Sequence, residues 1–395
     1  MGMVGGGTNA FIGAIHRIAA NMDGLIELHC GAFSSSPETS IASGKNLFLP
    51  ESKCYGSYSE MFATENSLPK EQRMDFVTIV TPNFAHFAPA MMALDYGFHV
   101  VIDKPMTLSL DEAKQLQQKV KETGLILCLT HTYSAYPMVK QARKMIADKM
   151  LGAIRKVMVE YPQGWLSNLS ESEGNKQAIW RTDPSKSGMS GCMGDIGTHA
   201  AQLAEYISGL KITKLCADIN IVVLGRKLDD DGNVLLKFDN GANGILVASQ
   251  IASGEENSLK IKIYGEKGGL EWHQMEPNTL LVKWPDAPTQ IYRAGNNYLS
   301  NSAAFNTRTP GGHPEGYLEA FANLYRNFAL TLITKSEGKE PTEEMIDFPT
   351  VDDGVEPTPE MLDFPSIEDG LRGMAFIDSV VASANSDKKW SPYTL

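Results

Sequence analysis

A glycine-rich stretch at the start of the chain, followed by a regular alternation of short apolar and helix-like segments, leaves few folds open. Val4-Gly5-Gly6-Gly7-Thr8-Asn9-Ala10-Phe11-Ile12-Gly13 precedes strand-like runs at Leu25–Phe33, Phe76–Thr81, His99–Asp103 and Leu125–Thr130. Between them, Ile12–Ala20, His86–Tyr96 and Leu110–Glu122 carry apolar residues at helical spacing. Such alternation predicts a parallel sheet with helices on both faces. Glycines after the first strand of such a sheet let the backbone turn sharply and bring amides to a pyrophosphate at the helix N-terminus. A glycine-rich loop alone is weak, because turns are often glycine-rich. Followed by five alternating elements, it predicts a dinucleotide site with Gly5, Gly7, Ala10, Phe11 and Ile12 beside the cofactor.

Two details depart from the usual fingerprint. Gly7 and Gly13 are too far apart for G-x-x-G, so the loop must bulge before the helix. Where an NAD site would place an acidic residue on the ribose, the chain has Ala32-Phe33-Ser34-Ser35-Ser36 with no Arg nearby. Ser34 can bond a ribose or a 2′-phosphate, so the cofactor is read as NAD or NADP with modest discrimination. Only four residues precede the glycines, short for a strand of this kind, and a start further upstream is expected.

The chemistry concentrates in Gly194-Asp195-Ile196-Gly197-Thr198-His199. Asp195 and His199 are four apart, which puts both on one face of a helix. The apolar run Ala200, Leu203, Ala204, Ile207 continues that helix. A carboxylate and an imidazole so placed can share a substrate hydroxyl, one holding it and the other moving its proton. Alone, the pair reads equally well as an Asp serving the helix dipole and a core His. Other segments shift the balance. Thr81-Pro82-Asn83 and Asp103-Lys104-Pro105 end strands at the carboxyl edge of the sheet, where a crevice for ligands forms. Lys104 would there point at the cofactor.

Together these motifs resemble the glucose–fructose oxidoreductase/inositol dehydrogenase (Gfo/Idh/MocA) family. The resemblance covers residues 1–210 and rests on Gly5-Gly6-Gly7…Gly13, Thr81-Pro82-Asn83…His86, Asp103-Lys104-Pro105 and Gly194-Asp195…His199. The family's usual motif is Glu-Lys-Pro, so Asp103 is a conservative departure. The resemblance implies an α/β protein: an N-terminal Rossmann domain over residues 1–134 and a C-terminal α/β domain over 135–395. The second domain would carry a large, mostly antiparallel open sheet, and the final helix, 367–384, would pack back on the first. Strand-like runs at Lys156–Tyr161, Lys214–Val223, Val234–Phe238, Gly244–Ser249, Leu259–Tyr264, Leu270–His273 and Thr279–Val282 agree, as do helix-like runs at Gly316–Ile333 and Ile367–Ala384.

The resemblance also implies roles. Thr81, Pro82, Asn83, His86, Asp103 and Lys104 would border the cofactor. The Trp180-Arg181 segment would lie over the substrate, although a surface Arg stacked on Trp is as good a reading. His131 and Tyr133 after the last nucleotide-domain strand, and His313 before a late helix, are further substrate-binding candidates; for His131 packing at the domain junction is an equal reading, and for His313 helix capping is the plainer account. The implied activity is hydride transfer between nicotinamide and a secondary alcohol of a sugar, glycoside or cyclitol. His199 would accept the hydroxyl proton, Asp195 would orient a hydroxyl, and Lys104 would stabilise the developing alkoxide, with Lys104 and His199 able to exchange roles. Two alternatives stand beside it: NAD-dependent glycoside cleavage without net redox change, and a non-catalytic dinucleotide-binding regulator, which would not need Lys104, Asp195 and His199.

Composition bounds the partners. A formal net charge of −12 argues against nucleic acid and anionic membranes. Five scattered cysteines without a CxxC pair predict neither a disulfide framework nor a metal site, and a cytoplasmic location follows. A homo-oligomer, a dimer or tetramer formed through the C-terminal sheet, is implied by the resemblance. Near the end, residues 340–355 and 356–371 are a tandem duplication, identical at ten of sixteen positions. The first copy reads as a surface insertion, the second as a capping-box start, Ser366-Ile367-Glu368-Asp369, to the last helix.

Overall fold

The computed structural model describes residues 1–8, 10–337 and 358–395. Five parallel strands form a first sheet in the order β2-β1-β3-β4-β5: β1 (Gly2–Gly5), β2 (Cys30–Ala32), β3 (Phe76–Val80), β4 (His99–Ile102) and β5 (Leu127–Leu129). All five residues of β3 are buried, as a strand covered on both faces requires. The helices α1 (Phe11–Asn21), α4 (Phe87–Asp95) and α5 (Leu110–Thr123) fall where apolar periodicity placed them. The expected strand at Leu25–Phe33 shrinks to the three residues of β2. Leu25, Ile26 and Leu28 instead pack irregularly into the cluster around Phe76 and Phe328. Two helices were not anticipated, α2 (Pro37–Asn46) and α3 (Tyr58–Ser67). Their apolar periodicity is weak; what starts them is a serine cap, Ser36 accepting from the Thr39 amide and Ser57 from the Glu60 amide.

The bulge expected between Gly7 and Gly13 spans Asn9, which lies outside the described residues, but close packing joins the first strand to α1 beside it. A Cβ on Gly13, inside α1, would lie 2.4 Å from the Gly6 Cα, so strand end and helix touch backbone to backbone. Gly6 itself has a φ of +70°, which favours glycine.

After α6 (Pro137–Ala147) the chain builds a nine-stranded sheet. Its strands are β6 (Ile154–Pro162), β7 (Ile212–Asn220), β8 (Asp231–Phe238), β9 (Asn243–Ser249), β10 (Lys260–Gly265), β11 (Gly269–His273), β12 (Thr279–Lys283), β13 (Gln290–Arg293) and β14 (Ser391–Pro392). The order is β13-β12-β11-β10-β6-β9-β8-β7-β14, antiparallel throughout except for the β6–β9 pair. The edge strands β13 and β14 carry no apolar alternation and were not anticipated. Two short helices, α7 (Lys176–Arg181) and α8 (Pro184–Ser187), and the longer α9 (Thr198–Ser208) lie between β6 and β7. Ala200, Leu203 and Ile207 of α9 share one core with Val157 and Val159 of β6 and Ile261 and Ile263 of β10.

The last helices return to the first sheet. After α10 (Asn301–Phe305), α11 (Tyr317–Glu337) places Phe321, Tyr325 and Phe328 in the cluster that holds Met3 and Phe76. Then α12 (Ile367–Ala384) buries Leu371, Met374 and Ile377 with Leu116 and Leu127. At roughly 1.5–3 kcal/mol for each large apolar side chain, this packing holds both sheets in one relative position. The expected capping box is formed: Ser366 accepts from the Glu368 amide, and the Asp369 carboxylate accepts from the Ser366 amide at 2.8 Å. The first copy of the duplication lies outside the described residues.

Because the Gly6–Gly13 contact is backbone against backbone, Gly13→Ala cannot be absorbed by a rotamer change. Denaturant titration should show a loss of about 1–3 kcal/mol, the usual cost of overpacking, together with weaker NAD binding. Unchanged stability would mean that the loop and α1 are free to separate.

Candidate active site

The catalytic candidates meet where the two sheets face each other. Lys104 follows β4, and its Nζ donates to Asp195 Oδ1 at 2.6 Å and to the Asp195 carbonyl oxygen at 2.7 Å. Two of its three N–H groups are thereby used, and one remains for a ligand oxygen. Asp195 does not stand in a regular α-helix as expected. Met193–Gly197 form a π-helical turn ahead of α9, a widening found often at functional sites. The Asp229 carboxylate anchors this turn by accepting from the amides of Gly191 at 2.8 Å and Met193 at 2.9 Å. A Cβ on Gly191 would lie 2.4 Å from the Asp229 carbonyl oxygen, so glycine is what permits the approach.

Asp195 and His199 line the same cavity, of about 740 Å³, without bonding to each other. The Asp195 carboxylate is already engaged: Gln250 Nε2 donates to Oδ2 at 2.9 Å, and Arg181 Nε lies 3.5 Å from the same oxygen. Burial opposes its ionisation, but the charges of Lys104 and Arg181 and the bonds from Lys104 and Gln250 outweigh it, holding the carboxyl at about 2. The stability this ion contributes is thus fully present above the ordinary carboxylate range and is lost progressively as pH falls from that range to about 2. His199 goes the other way. Burial first, then the positive charge of Lys104, drives its imidazole well below the usual value. It is a neutral base beside a fixed cation. His131, whose Nδ1 lies 3.2 Å from His199 Nδ1, is lowered to about 3 by burial and by Lys104.

Of the residues expected at the cofactor, Ala10, Phe11 and Ile12 at the start of α1 line the cavity, as do Thr81, Pro82, Asn83, Asp103 and Lys104. Ala10 offers α1 no side-chain cap. Among the described residues no side chain caps the start of this helix, which fits a diphosphate of NAD or NADP. Tyr133, Trp180 and Arg181 line the cavity as well, and the Arg181 guanidinium stacks 4.2 Å from the Trp180 ring.

Several expected residues stand off the cavity. Gly5 and Gly7 shape the loop from below, Gly7 donating to the Phe33 carbonyl. The Ser34 hydroxyl accepts from the Ser36 amide. His86 is buried between the Pro105 and Thr81 carbonyls, at 2.9 and 2.8 Å, and ties two strand ends together. His131 sits behind His199. His313 lies exposed on the turn before α11, near the Pro310 carbonyl.

Other lining residues escaped the sequence reading. Tyr161 and Gln163 at the end of β6 both donate to Asn257 Oδ1, at 2.7 and 2.6 Å. Asn257 in turn donates to the Tyr133 hydroxyl at 3.1 Å, which also bonds Tyr161. This network gives the cavity a polar wall, suited to hydroxyl groups. Trp165 adds an aromatic face, held by its Nε1 donating to Gln163. Glu38 does not line the cavity; it stands in the first turn of α2 and accepts from the Ser36 hydroxyl at 2.8 Å.

Comparison with known proteins agrees with this architecture. Residues 2–131 match the pattern of the oxidoreductase family with an NAD-binding Rossmann fold, and residues 139–271 match the GFO/IDH/MocA C-terminal domain. The uncharacterized oxidoreductase YfiI of Bacillus subtilis is 31% identical over 98% of this chain and 95% of its own. A levoglucosan dehydrogenase of Pseudarthrobacter phenanthrenivorans is 24% identical over 75% of this chain and 78% of its own. The inositol dehydrogenase homologue of Azotobacter vinelandii, solved with NAD+, superposes with a TM-score of 0.90 at 33% identity, covering 99% of this chain and 96% of that one. The same homologue with NADH and myo-inositol gives 0.88 at 31% identity, over 99% and 97%. The chain belongs to the Gfo/Idh/MocA family of NAD-binding oxidoreductases.

The depressed imidazole sets an expectation for pH. A base must be neutral to accept a proton, and His199 stays neutral well below the ordinary imidazole range. The kcat/KM for alcohol oxidation should therefore show no acid-side inflection near about 6.5, the free imidazole value. An inflection there in a pH–rate profile would place an ordinary, solvated imidazole in the reaction.

Proposed function

We propose that this Gfo/Idh/MocA member interconverts a secondary alcohol and a ketone on a sugar, glycoside or cyclitol, with NAD or NADP as the redox partner. The convergence of Lys104, Asp195 and His199 on one cavity that reaches the start of α1 carries this reading. The myo-inositol and levoglucosan named for two relatives support the substrate class. When bound, the nicotinamide takes up or returns the electron pair of the carbinol C–H bond. His199 Nε2 takes the hydroxyl proton, and the free N–H of Lys104 holds the oxygen and stabilises its developing charge. Asp195, expected to orient a hydroxyl, chiefly fixes Lys104. The Tyr133, Tyr161 and Asn257 wall bonds the other hydroxyls of the substrate.

On this reading residues 1–134 bind the nucleotide and residues 135–395 the substrate, a division supported by the two sheets. The second sheet also offers a surface for a homo-oligomer, since Leu235, Ile245 and Met158 are neighbours in register on one face, with Leu235 and Met158 44% and 40% exposed. A cytoplasmic protein with a small-molecule partner, and neither nucleic acid nor membrane, fits the charge of −12 and the five free cysteines among the described residues. Among those residues no helix is long and apolar enough to cross a membrane.

Monosaccharides, inositols and glycosides tested with NAD and NADP, followed by nicotinamide absorbance, should yield one reduced cofactor per substrate consumed. Cleavage of a glycoside with no net reduced cofactor would contradict the proposal. Lys104→Ala and His199→Ala should each lower turnover about 10²-fold or more, with cofactor binding kept in the His199 variant. Near-normal rates in both would remove these residues from the chemistry. Separately, Leu235→Lys should shift the sedimentation coefficient toward that of a monomer; an unchanged assembly would rule out this face.

A further inference from the structure

His199 and His131 meet nitrogen to nitrogen, Nδ1 to Nδ1 at 3.2 Å, with ring planes 80° apart. A hydrogen bond between two imidazoles needs one N–H and one lone pair, so the neutral pair holds a single proton between its two Nδ1 atoms. That count limits what His199 offers the cavity. If His199 Nδ1 carries the proton and His131 accepts it, His199 Nε2 is a lone pair facing the substrate. If His131 is the donor, His199 Nε2 must carry the hydrogen and can accept nothing. The partner therefore decides whether His199 is a base.

The surroundings lock the pair in place. His131 is 1% exposed, and α12 closes on it, a Cβ on Gly373 being only 3.8 Å from its Nε2. The His199 ring is wedged edge-on against Tyr133, centroids 4.8 Å apart. His199 Nε2 has no hydrogen-bond partner among the described residues, and His199 lines the cavity. His131 does not line it, so the substrate-binding role expected of His131 does not apply.

Resting on the reading that His199 accepts the substrate proton, we propose that His131 is a positioning residue that accepts the His199 Nδ1 hydrogen and so aims the Nε2 lone pair into the cavity. In oxidation the substrate O–H bond breaks as an N–H bond forms at His199 Nε2, and the carbinol hydrogen would leave with its bonding pair as hydride to the bound NAD or NADP, which serves as the oxidant. The Nδ1–H bond to His131 persists throughout and spreads the positive charge gained by His199.

The test uses the NAD-bound protein labelled with 15N-histidine, together with steady-state rates on the substrate found by the panel. Nitrogen NMR should show His199 protonated at Nδ1 and bare at Nε2; a protonated Nε2 in the resting protein would overturn the proposal whatever the variants do. His131→Phe, which removes the acceptor, should lower kcat about 10²-fold or more with little change in NAD affinity, in line with the cost of a wrong tautomer at a catalytic histidine. His131→Asn, whose Oδ1 can stand near the lost Nδ1, should recover about 10-fold of that loss. A His131→Phe enzyme within about threefold of wild type, or an Asn variant no better than Phe, would leave His131 as packing alone. His199→Ala separates the two levels: full activity there defeats the base assignment itself, whereas loss there without loss in His131→Phe defeats only the positioning role.

Discussion

The ion pair between Lys104 and Asp195 is the contact on which the site depends. Its partners are 91 residues apart, one at the carboxyl end of a strand in the parallel sheet, the other in a π turn of the second half. Both side chains are largely buried, at 14% and 17% exposure, so the pair is not one of the near-neutral surface contacts. Removing one partner would leave the other charge desolvated and unpaired, which is the expensive outcome. The double attachment of Lys104, to carboxylate and carbonyl alike, fixes the ammonium where an alkoxide would develop. It also sets a positive charge beside His199, which helps burial to keep that imidazole neutral. On the proposed roles, one interaction places both the electrophile and the base.

Other contacts keep the two halves in register around that pair. Asn83, after β3, donates to the Ser187 carbonyl at 3.1 Å. The returning helices α11 and α12 are wedged into the core of the first sheet. Arg226, itself buried, donates to the carbonyls of Leu166 and Asn168 and pairs with Glu171 and Asp230, so the segment carrying Trp165 is tied to the connection between β7 and β8. The aromatic and polar wall of the cavity is therefore part of the scaffold.

How much of this was legible in the sequence follows from the range of the signal. Helices such as α5 and α12 and strands such as β3 were readable because periodicity, caps and continuous apolar runs are local. Lys104, Asp195 and His199 stood out because short motifs place them at strand and helix ends where ligands bind. The wall was not readable: Tyr161 and Asn257 are 96 residues apart and only the register of β6 and β10 brings them together. The π turn was invisible because four-residue spacing looks the same in a regular helix. His131 was left between two readings, since adjacency to the site in sequence does not tell a cavity wall from the layer behind it.

The central claim, that Lys104 and Asp195 act as one unit, is tested most directly by a double-mutant cycle on kcat/KM with Lys104→Met, Asp195→Asn and the double variant. If the pair works as a unit, the double variant is no worse than the poorer single one, and the coupling falls at or above the range of about 0.5–3 kcal/mol seen for residues in contact. Losses that simply add, with coupling near zero, would contradict the account and make the two residues independent contributors to the site.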